Sequence, residues 1–222
     1  MSRSWILGDT VHAVMIGADA VFLDIRSDAY VSLPGAGQAM AFDEDGVGLD
    51  VNDPLTASAL ADRGLIRPRP SVGPPARRQP PPLPAASALP GETAPLRWRD
   101  LPDLVHALVD LLLHYRNRAL ADLLRTGGDR HAAGPYAADP SPKMLLAVAR
   151  FHRWAPWAPV SGKCLLRSFM LLRFLKREGF DAQWVFAVRT WPFAAHCWLQ
   201  CGEVVLDDDF ERLAAFHPIL AA

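Results

Sequence analysis

Cysteine is scarce in this chain of 222 residues, and its charges nearly cancel. Three cysteines, an odd number, do not make the disulfide framework of a small secreted domain. A net charge of −1 without a dense basic run argues against a nucleic-acid partner. No apolar run reaches the roughly 20 residues that span a bilayer, and the first apolar run is too short for a secretory signal. We therefore expect a globular, cytoplasmic protein with neither a membrane nor a nucleic-acid partner.

Proline is distributed unevenly and divides the chain. Residues 68–95 contain ten prolines in 28 positions, including Pro80, Pro81 and Pro82. This density predicts an extended, semi-rigid segment with no packed core, although it also suits a ligand of SH3-type domains. The chain is accordingly predicted to have an N-terminal domain at 1–67, a linker at 68–95 and a second domain at 96–222.

The N-terminal domain shows short strand patterns followed by helix signals. The predicted elements are strands at 11–16, 20–25 and 30–33, a short helix at 36–42, and a helix from Asp53 to Gly64. Asp53 followed by Pro54 is a typical helix start, because aspartate caps free N–H groups and proline fits the first turn. Short strands with helices predict a small, winged-helix-like domain.

The second domain is organised around one apolar segment, residues 161–179. Helices are predicted to precede it, beginning at Asp100 and at Ser141. The segment reads as a buried helix with Ser161 as its N-cap and Gly179 as its stop. Cys164 then lies in the first turn, where unpaired N–H groups and the helix dipole favour a thiolate.

Two β-rich runs follow, at 194–200 and 204–209, and they predict a hairpin. His196 lies on the first run, and three consecutive aspartates end the second. A cysteine at a helix start, a histidine on a strand and an aspartate on the next strand can act as nucleophile, base and orienter. Helices followed by antiparallel strands predict an α+β fold, and their order resembles that of papain-like and transglutaminase-like folds.

The length of the hairpin loop decides which aspartate faces His196. A three-residue loop would pair Gln200 with Val204 and place Asp208 opposite His196. A two-residue loop would place Asp209 there instead. Residues 201–203 separate the two runs and favour the three-residue loop, with Asp208 as the functional carboxylate, although glycine in the loop permits either length.

A zinc site made by His196, Cys197 and Cys201 is not expected. Alternate residues of a strand face opposite sides, so both thiols point away from His196. Four strand residues also separate the two sulfurs by about 13 Å, too far to share one ion bound at about 2.3 Å per sulfur. We expect both cysteines to be core or boundary residues and the chain to use no metal or cofactor.

Three short motifs occur in a specific order. They are Cys-Leu-x-Arg-Ser at Cys164, Ala-His-x-Trp at His196, and Val-Leu-x-Asp at Asp208. In this order and spacing they resemble the leader-peptide peptidases of lasso-peptide biosynthesis, which are members of the transglutaminase-like superfamily. The resemblance implies a cysteine endopeptidase that cuts leader from core in a ribosomally made precursor peptide. It also supports Asp208, rather than a neighbouring aspartate, as the partner of His196.

The N-terminal order of elements resembles the PqqD-like domains that bind leader peptides in such systems. The resemblance implies that the leader adds as a strand and packs on the following helix, with the contact residues Tyr30, Val31, Ser32, Leu33, Leu55 and Leu60. It further implies two partners, the precursor peptide and an asparagine-synthetase-like cyclase. No phosphate-binding loop is visible in the sequence. Two alternatives stay open: a transglutaminase-type acyl transferase and a non-catalytic precursor carrier.

Overall fold

The computed structural model describes residues 4–43, 46–70, 79–88, 98, 101–115, 120–127, 138–157 and 164–222. The strands are β1 Ser4–Leu7, β2 Val11–Ile16, β3 Asp19–Asp24, β4 Ala29–Leu33, β5 Met40–Phe42, β6 Gly48–Val51, β7 Ile66–Pro68, β8 Ala86–Ser87, β9 Gln183–Thr190, β10 Phe193–Cys201, β11 Val204–Val205 and β12 His217–Ala221. The helices are α1 Pro54–Asp62, α2 Leu101–Tyr115, α3 Leu120–Gly127, α4 Pro142–Trp154, α5 Cys164–Arg177 and α6 Phe210–Leu213.

The C-terminal half is a mixed α+β unit, as predicted. Its five strands lie in the order β12-β9-β10-β11-β8, and all neighbours are antiparallel except β11 and β8. The start of α4 is as expected, because Ser141 accepts a hydrogen bond from the N–H of Met144 at 3.3 Å. Helices α4 and α5 and strands β9 and β10 contribute to one apolar core.

Helix α5 is the buried central helix that the sequence predicts. Six of its apolar side chains are buried: Phe169, Met170, Leu171, Leu172, Phe174 and Leu175. Gly179, with φ of +81°, ends it, and the N–H of Phe180 donates back to the carbonyl of Leu175 at 2.9 Å. The predicted N-cap, Ser161, lies outside the described residues.

The N-terminal part contains more β-structure than the sequence predicts. The meander of β2, β3 and β4 is confirmed. The helix predicted at 36–42 is wrong: a 3₁₀ turn covers Ala36–Gln38, and β5 follows because Met40 pairs with Val51 of β6. Strands β1, β5, β6 and β7 form a second sheet, and α1 begins at Asp53 as expected, with its side chain accepting from Thr56 N–H at 2.8 Å.

Strand β3 belongs to two apolar cores at once. Val21 and Leu23 on one face pack with the C-terminal unit, while Ala20 and Phe22 on the other face pack with α1 and the four-stranded sheet. This division follows from the alternation of side chains along a strand. The N-terminal meander is therefore built directly onto the C-terminal unit.

Within the proline-rich segment, residues 79–88 are extended but packed. The side-chain amide of Gln200 donates to the carbonyl of Pro82 at 3.0 Å, and Ala86–Ser87 adds to the five-stranded sheet as β8. This corrects the expectation of a spacer without packing, because backbone groups of an extended chain can extend an open sheet edge. The proposed domain boundaries at 67 and 95 stay a prediction. Among the described residues, no helix combines the length and apolarity that a membrane crossing needs.

Candidate active site

Three elements bring Cys164, His196 and Asp208 together. Cys164 is the first residue of α5 and is half-buried, His196 lies in the middle of β10, and Asp208 lies in the turn between β11 and α6. The thiol of Cys164 is hydrogen-bonded to His196, and His196 is hydrogen-bonded to Asp208. The three residues that the sequence singles out thus form one continuous hydrogen-bonded line.

The imidazole of His196 is held from its Nε2 side. Nε2 lies 2.7 Å from Oδ2 of Asp208, so Nδ1 is the ring nitrogen left for the sulfur. Asp208 is itself fixed: the N–H of Asp209 donates to its Oδ1 at 2.8 Å, and Arg167 donates to Oδ2 at 3.5 Å. Arg212 lies 3.9 Å from Oδ1. A carboxylate held by these partners keeps the ring in one orientation and one tautomer.

The pKa values of Cys164 and His196 move in opposite directions. The thiol of Cys197 donates to the Cys164 sulfur, and this bond, with that to His196, outweighs burial and lowers the pKa of Cys164 to about 4. For His196, burial disfavours the charged ring, but hydrogen bonds to Asp208 and Cys164 overcome it and raise its pKa to about 9. Between these values the pair is a thiolate beside an imidazolium, which is the reactive state of a cysteine nucleophile.

Cys197 lies next to Cys164. It follows His196 on β10 and is buried, and both its thiol and its backbone N–H donate to the sulfur of Cys164. Burial and the neighbouring Cys164 raise its own pKa well above the ordinary thiol value. The sequence predicts a thiol turned away from His196, but it does not predict that α5 begins beside this face of the strand. Among the described residues, no group of three or more His, Cys, Asp or Glu side chains is placed to hold a metal ion.

The predicted hairpin register is wrong by one residue. Gln200 pairs with Val205 and Cys201 with Val204, so the loop consists of Gly202 and Glu203. A regular continuation would place Asp209 opposite His196. Strand β11 ends at Val205, however, and the chain turns away from the ladder, which brings Asp208 to the imidazole. Asp209 instead caps α6, where its side chain accepts from the N–H of Glu211 at 3.0 Å.

Asp207 and Ser168 form a buried contact that sequence reasoning missed. The hydroxyl of Ser168 donates to Oδ2 of Asp207 at 2.5 Å, and the N–H of Leu199 donates to Oδ1 at 2.8 Å. Asp207 is only 1% exposed, and burial raises its pKa to about 6 against these two hydrogen bonds. The contact ties the helix that carries Cys164 to the turn that carries Asp208. Ser168 stands four residues after Cys164, on the same helix face, and this spacing was the available signal.

The residues predicted to bind a leader lie in different environments. Tyr30, Val31, Ser32 and Leu33 lie on β4, an edge strand among the described residues. Leu55 is 81% exposed on α1, but Leu60 is 2% exposed and packs into the N-terminal core, so it is not available as a surface contact. The pattern of α1 placed both leucines on the helix but could not show which one faces inward.

Tyr30 lies near Cys164 and His196, although more than 130 positions separate it from them in the sequence. Its ring packs edge-on against Phe193, three residues before His196, with 5.8 Å between the ring centroids. Burial chiefly, with the negative groups Asp28, Cys197 and Cys164, raises the pKa of Tyr30 above its usual range. The N-terminal meander therefore forms one side of the surroundings of Cys164.

Comparison with known proteins agrees with this arrangement. A family model described as the transglutaminase-like superfamily matches residues 105–221, slightly more than half of the chain. Neither the curated proteins nor the solved structures include a match to this chain. The match covers α2 to β12 and all three residues of the hydrogen-bonded line. The chain belongs to the transglutaminase-like superfamily, whose members are in general cysteine proteases and acyl transferases.

Proposed function

We propose that this protein is a cysteine endopeptidase that removes the leader from a ribosomally made lasso-peptide precursor. The observation that carries the proposal is the line from Cys164 through His196 to Asp208, with 2.7 Å between Nε2 and Oδ2. Family membership supports a cysteine-based acyl-transfer reaction, and peptide cleavage is such a reaction with water as the final acceptor.

Catalysis begins with the thiolate of Cys164 attacking the scissile carbonyl. His196, protonated in the resting pair, gives its proton to the departing amine, and it then takes a proton from the water that hydrolyses the thioester. Asp208 holds the Nε2 side of the ring, so proton transfer takes place at Nδ1. The backbone N–H of Cys164, at the start of α5, is the natural donor to the oxyanion.

The substrate is proposed to be a peptide that reaches Cys164 along the N-terminal meander. Strand β4 has one paired neighbour, β3, among the described residues, so its other edge can accept a peptide strand. Tyr30 at the start of this strand contacts Phe193 of the catalytic half. A leader paired with Tyr30–Leu33 would therefore lie close to the nucleophile, and exposed Leu55 is the candidate contact on α1.

The proposed setting follows from the resemblance of the motifs. The partners would be the precursor peptide and an asparagine-synthetase-like cyclase that closes the ring after cleavage. Both would be met in the cytoplasm.

Incubating the full chain with the candidate precursor peptide tests the proposed reaction. Mass spectrometry should find leader and core as separate products, with one water added across the cut bond. A peptide joined to an amine would instead identify an acyl transferase. An intact peptide that binds tightly would identify a carrier, and the proposed peptidase would be refuted in both cases.

A further inference from the structure

The candidate active site contains a second thiol for which the proposed peptidase mechanism has no use. Cys164 and Cys197 come from different elements, the start of α5 and the middle of β10. These elements pack together at this point, since the hydroxyl of Ser168, one turn along α5 from Cys164, lies 3.5 Å from the carbonyl of Cys197, and the two thiols are near enough to shift each other's pKa. Cys164 is half-exposed, whereas Cys197 is buried. One sulfur is therefore open to reagents in solution, and the other is shielded from them but stands next to the first.

We propose that Cys164 and Cys197 form a modification site for hydroperoxides, in which Cys164 is oxidised first and Cys197 closes a disulfide with it. This assignment does not depend on what Cys164 does to a substrate. It requires only a reactive sulfur and a neighbouring thiol that can reach it.

The first step uses the reactivity of Cys164. The thiolate sulfur attacks the outer oxygen of the hydroperoxide, so an S–O bond forms and the O–O bond breaks. The leaving alkoxide or hydroxide takes a proton and departs as alcohol or water. Sulfur is oxidised by two electrons and the peroxide is reduced by two. The proton of His196, hydrogen-bonded to Cys164, is available for the leaving oxygen.

The second step uses the position of Cys197. Its sulfur attacks the sulfenic sulfur of Cys164, the S–S bond forms and the S–O bond breaks. The hydroxide that leaves combines with the thiol proton of Cys197 to give water. The two thiols are neighbours, so their side chains must move closer together to reach the disulfide bond length of about 2.05 Å. The disulfide blocks the nucleophile reversibly, since a thiol reductant restores both groups.

Cys201 provides a matched control on the same strand. It is buried like Cys197, but its thiol donates to the carbonyl of Ala138 at 3.2 Å. Four residues along a strand separate it from Cys197 by about 13 Å. It shares the environment of a buried thiol on β10 and lacks the contact with Cys164.

Peptide mapping after treatment with hydrogen peroxide tests the site. Trypsin releases Cys164 on the peptide 164–167, while Cys197 and Cys201 remain together on 190–212. The oxidised full chain should yield these two peptides cross-linked, with the loss of two hydrogens, and dithiothreitol should restore alkylation of Cys164 by iodoacetamide. The Cys201→Ala variant should give the same cross-link, which assigns it to Cys197.

The Cys197→Ala variant should give no cross-link. Its Cys164 should instead advance to sulfinic or sulfonic acid, and dithiothreitol should not restore its alkylation. A cross-link that persists in Cys197→Ala, or is lost in Cys201→Ala, would overturn the assignment. So would wild-type protein that carries an oxidised Cys164 and no cross-link. Fragmentation of the wild-type cross-linked peptide locates the bond even if a variant does not fold.

Discussion

The buried carboxyl of Asp207 should make the protein less stable as the pH rises, and the Asp207→Asn substitution should remove this dependence. Its pKa is raised from 3.8 to about 6, because burial disfavours the charge by more than the hydrogen bonds from Ser168 and Leu199 favour it. The folded state therefore binds this proton more tightly than the unfolded state does. It follows that the contribution of Asp207 to the free energy of unfolding falls as the pH rises from about 4 through about 6.

The size of the effect follows from the shift. About two pKa units, at 1.36 kcal/mol per unit, make the charged form about 3 kcal/mol less favourable above pH 6 than the neutral form at low pH. In Asp207→Asn the side chain stays neutral. Its amide oxygen can accept from Leu199 N–H and its NH₂ can donate to Ser168, whose hydroxyl can turn to the carbonyl of Cys197, 3.5 Å away.

Urea unfolding of wild type and Asp207→Asn at a series of pH values from about 3.5 to about 8, a range that spans the two pKa values, measures this difference. The variant should gain about 2–3 kcal/mol relative to wild type across the range. Asp207→Ala should lose about 1–3 kcal/mol near pH 5, since it leaves the buried N–H of Leu199 without an acceptor. A difference between wild type and Asp207→Asn that stays constant with pH, or changes in favour of wild type as pH rises, would refute the reasoning.

Three further results are expected. Asp208→Asn should lower the rate of leader removal by about 10²–10⁴-fold at unchanged fold, because the orientation and tautomer of His196 are lost. Asp209→Asn should leave the rate nearly unchanged, and equal rates in the two variants would contradict the assignment of Asp208. Alkylation of Cys164 by iodoacetamide should remain fast down to about pH 5, since the pKa of this thiol is about 4. The His196→Ala variant should begin to react only at a higher pH. A wild-type protein that begins to react near pH 8 would be inconsistent with the thiolate–imidazolium pair. Leu55→Ser should weaken leader binding, measured by fluorescence anisotropy, without lowering the melting temperature, because the side chain is exposed; unchanged affinity would remove α1 from the proposed leader site.

Much of the C-terminal half of the fold could be predicted, because the sequence patterns that mark its central helix and the strand of His196 are local. The apolar residues of α5 and its stop at Gly179 define one buried helix, and the structure shows it from Cys164 to Arg177. The β-rich run at 194–200 predicts β10 in the same way, and the strand extends one residue further at each end, from Phe193 to Cys201. The positions of Cys164 and His196 follow from these two elements.

The hairpin register, the carboxylate that meets His196 and the burial of Asp207 depend on contacts between distant residues, so local sequence patterns could not predict them. Glycine in the hairpin permits loops of two or three residues. Asp208 does lie against His196, but the three-residue register that predicted this contact was wrong. The departure of the chain from the ladder after Val205 decides which carboxylate meets the imidazole. Likewise, three aspartates in a row read as a solvated charge run, and only tertiary packing shows that Asp207 is buried beneath α5.

The N-terminal part was the least predictable, since its strands are short and pair with distant residues. Ser4–Leu7 forms the centre of a sheet with Gly48–Val51 and Ile66–Pro68, more than 40 positions away. The β-forming residues of β3, set between turn residues, predicted a strand, but not that its two faces would be buried in different cores. For this reason the proposed separation into domains at residues 67 and 95 gives no hint of the contact between Tyr30 and Phe193.

The role of Cys164 as nucleophile is tested most directly by the rate at which purified Cys164→Ala removes the leader from the precursor peptide, compared with wild type under the same conditions. Alanine at the start of α5 keeps the fold, because the position is half-exposed and alanine favours a helix. The hydrogen-bonded line predicts normal peptide binding and loss of cleavage by several orders of magnitude. A folded Cys164→Ala protein that cleaves the precursor at the wild-type rate would contradict it.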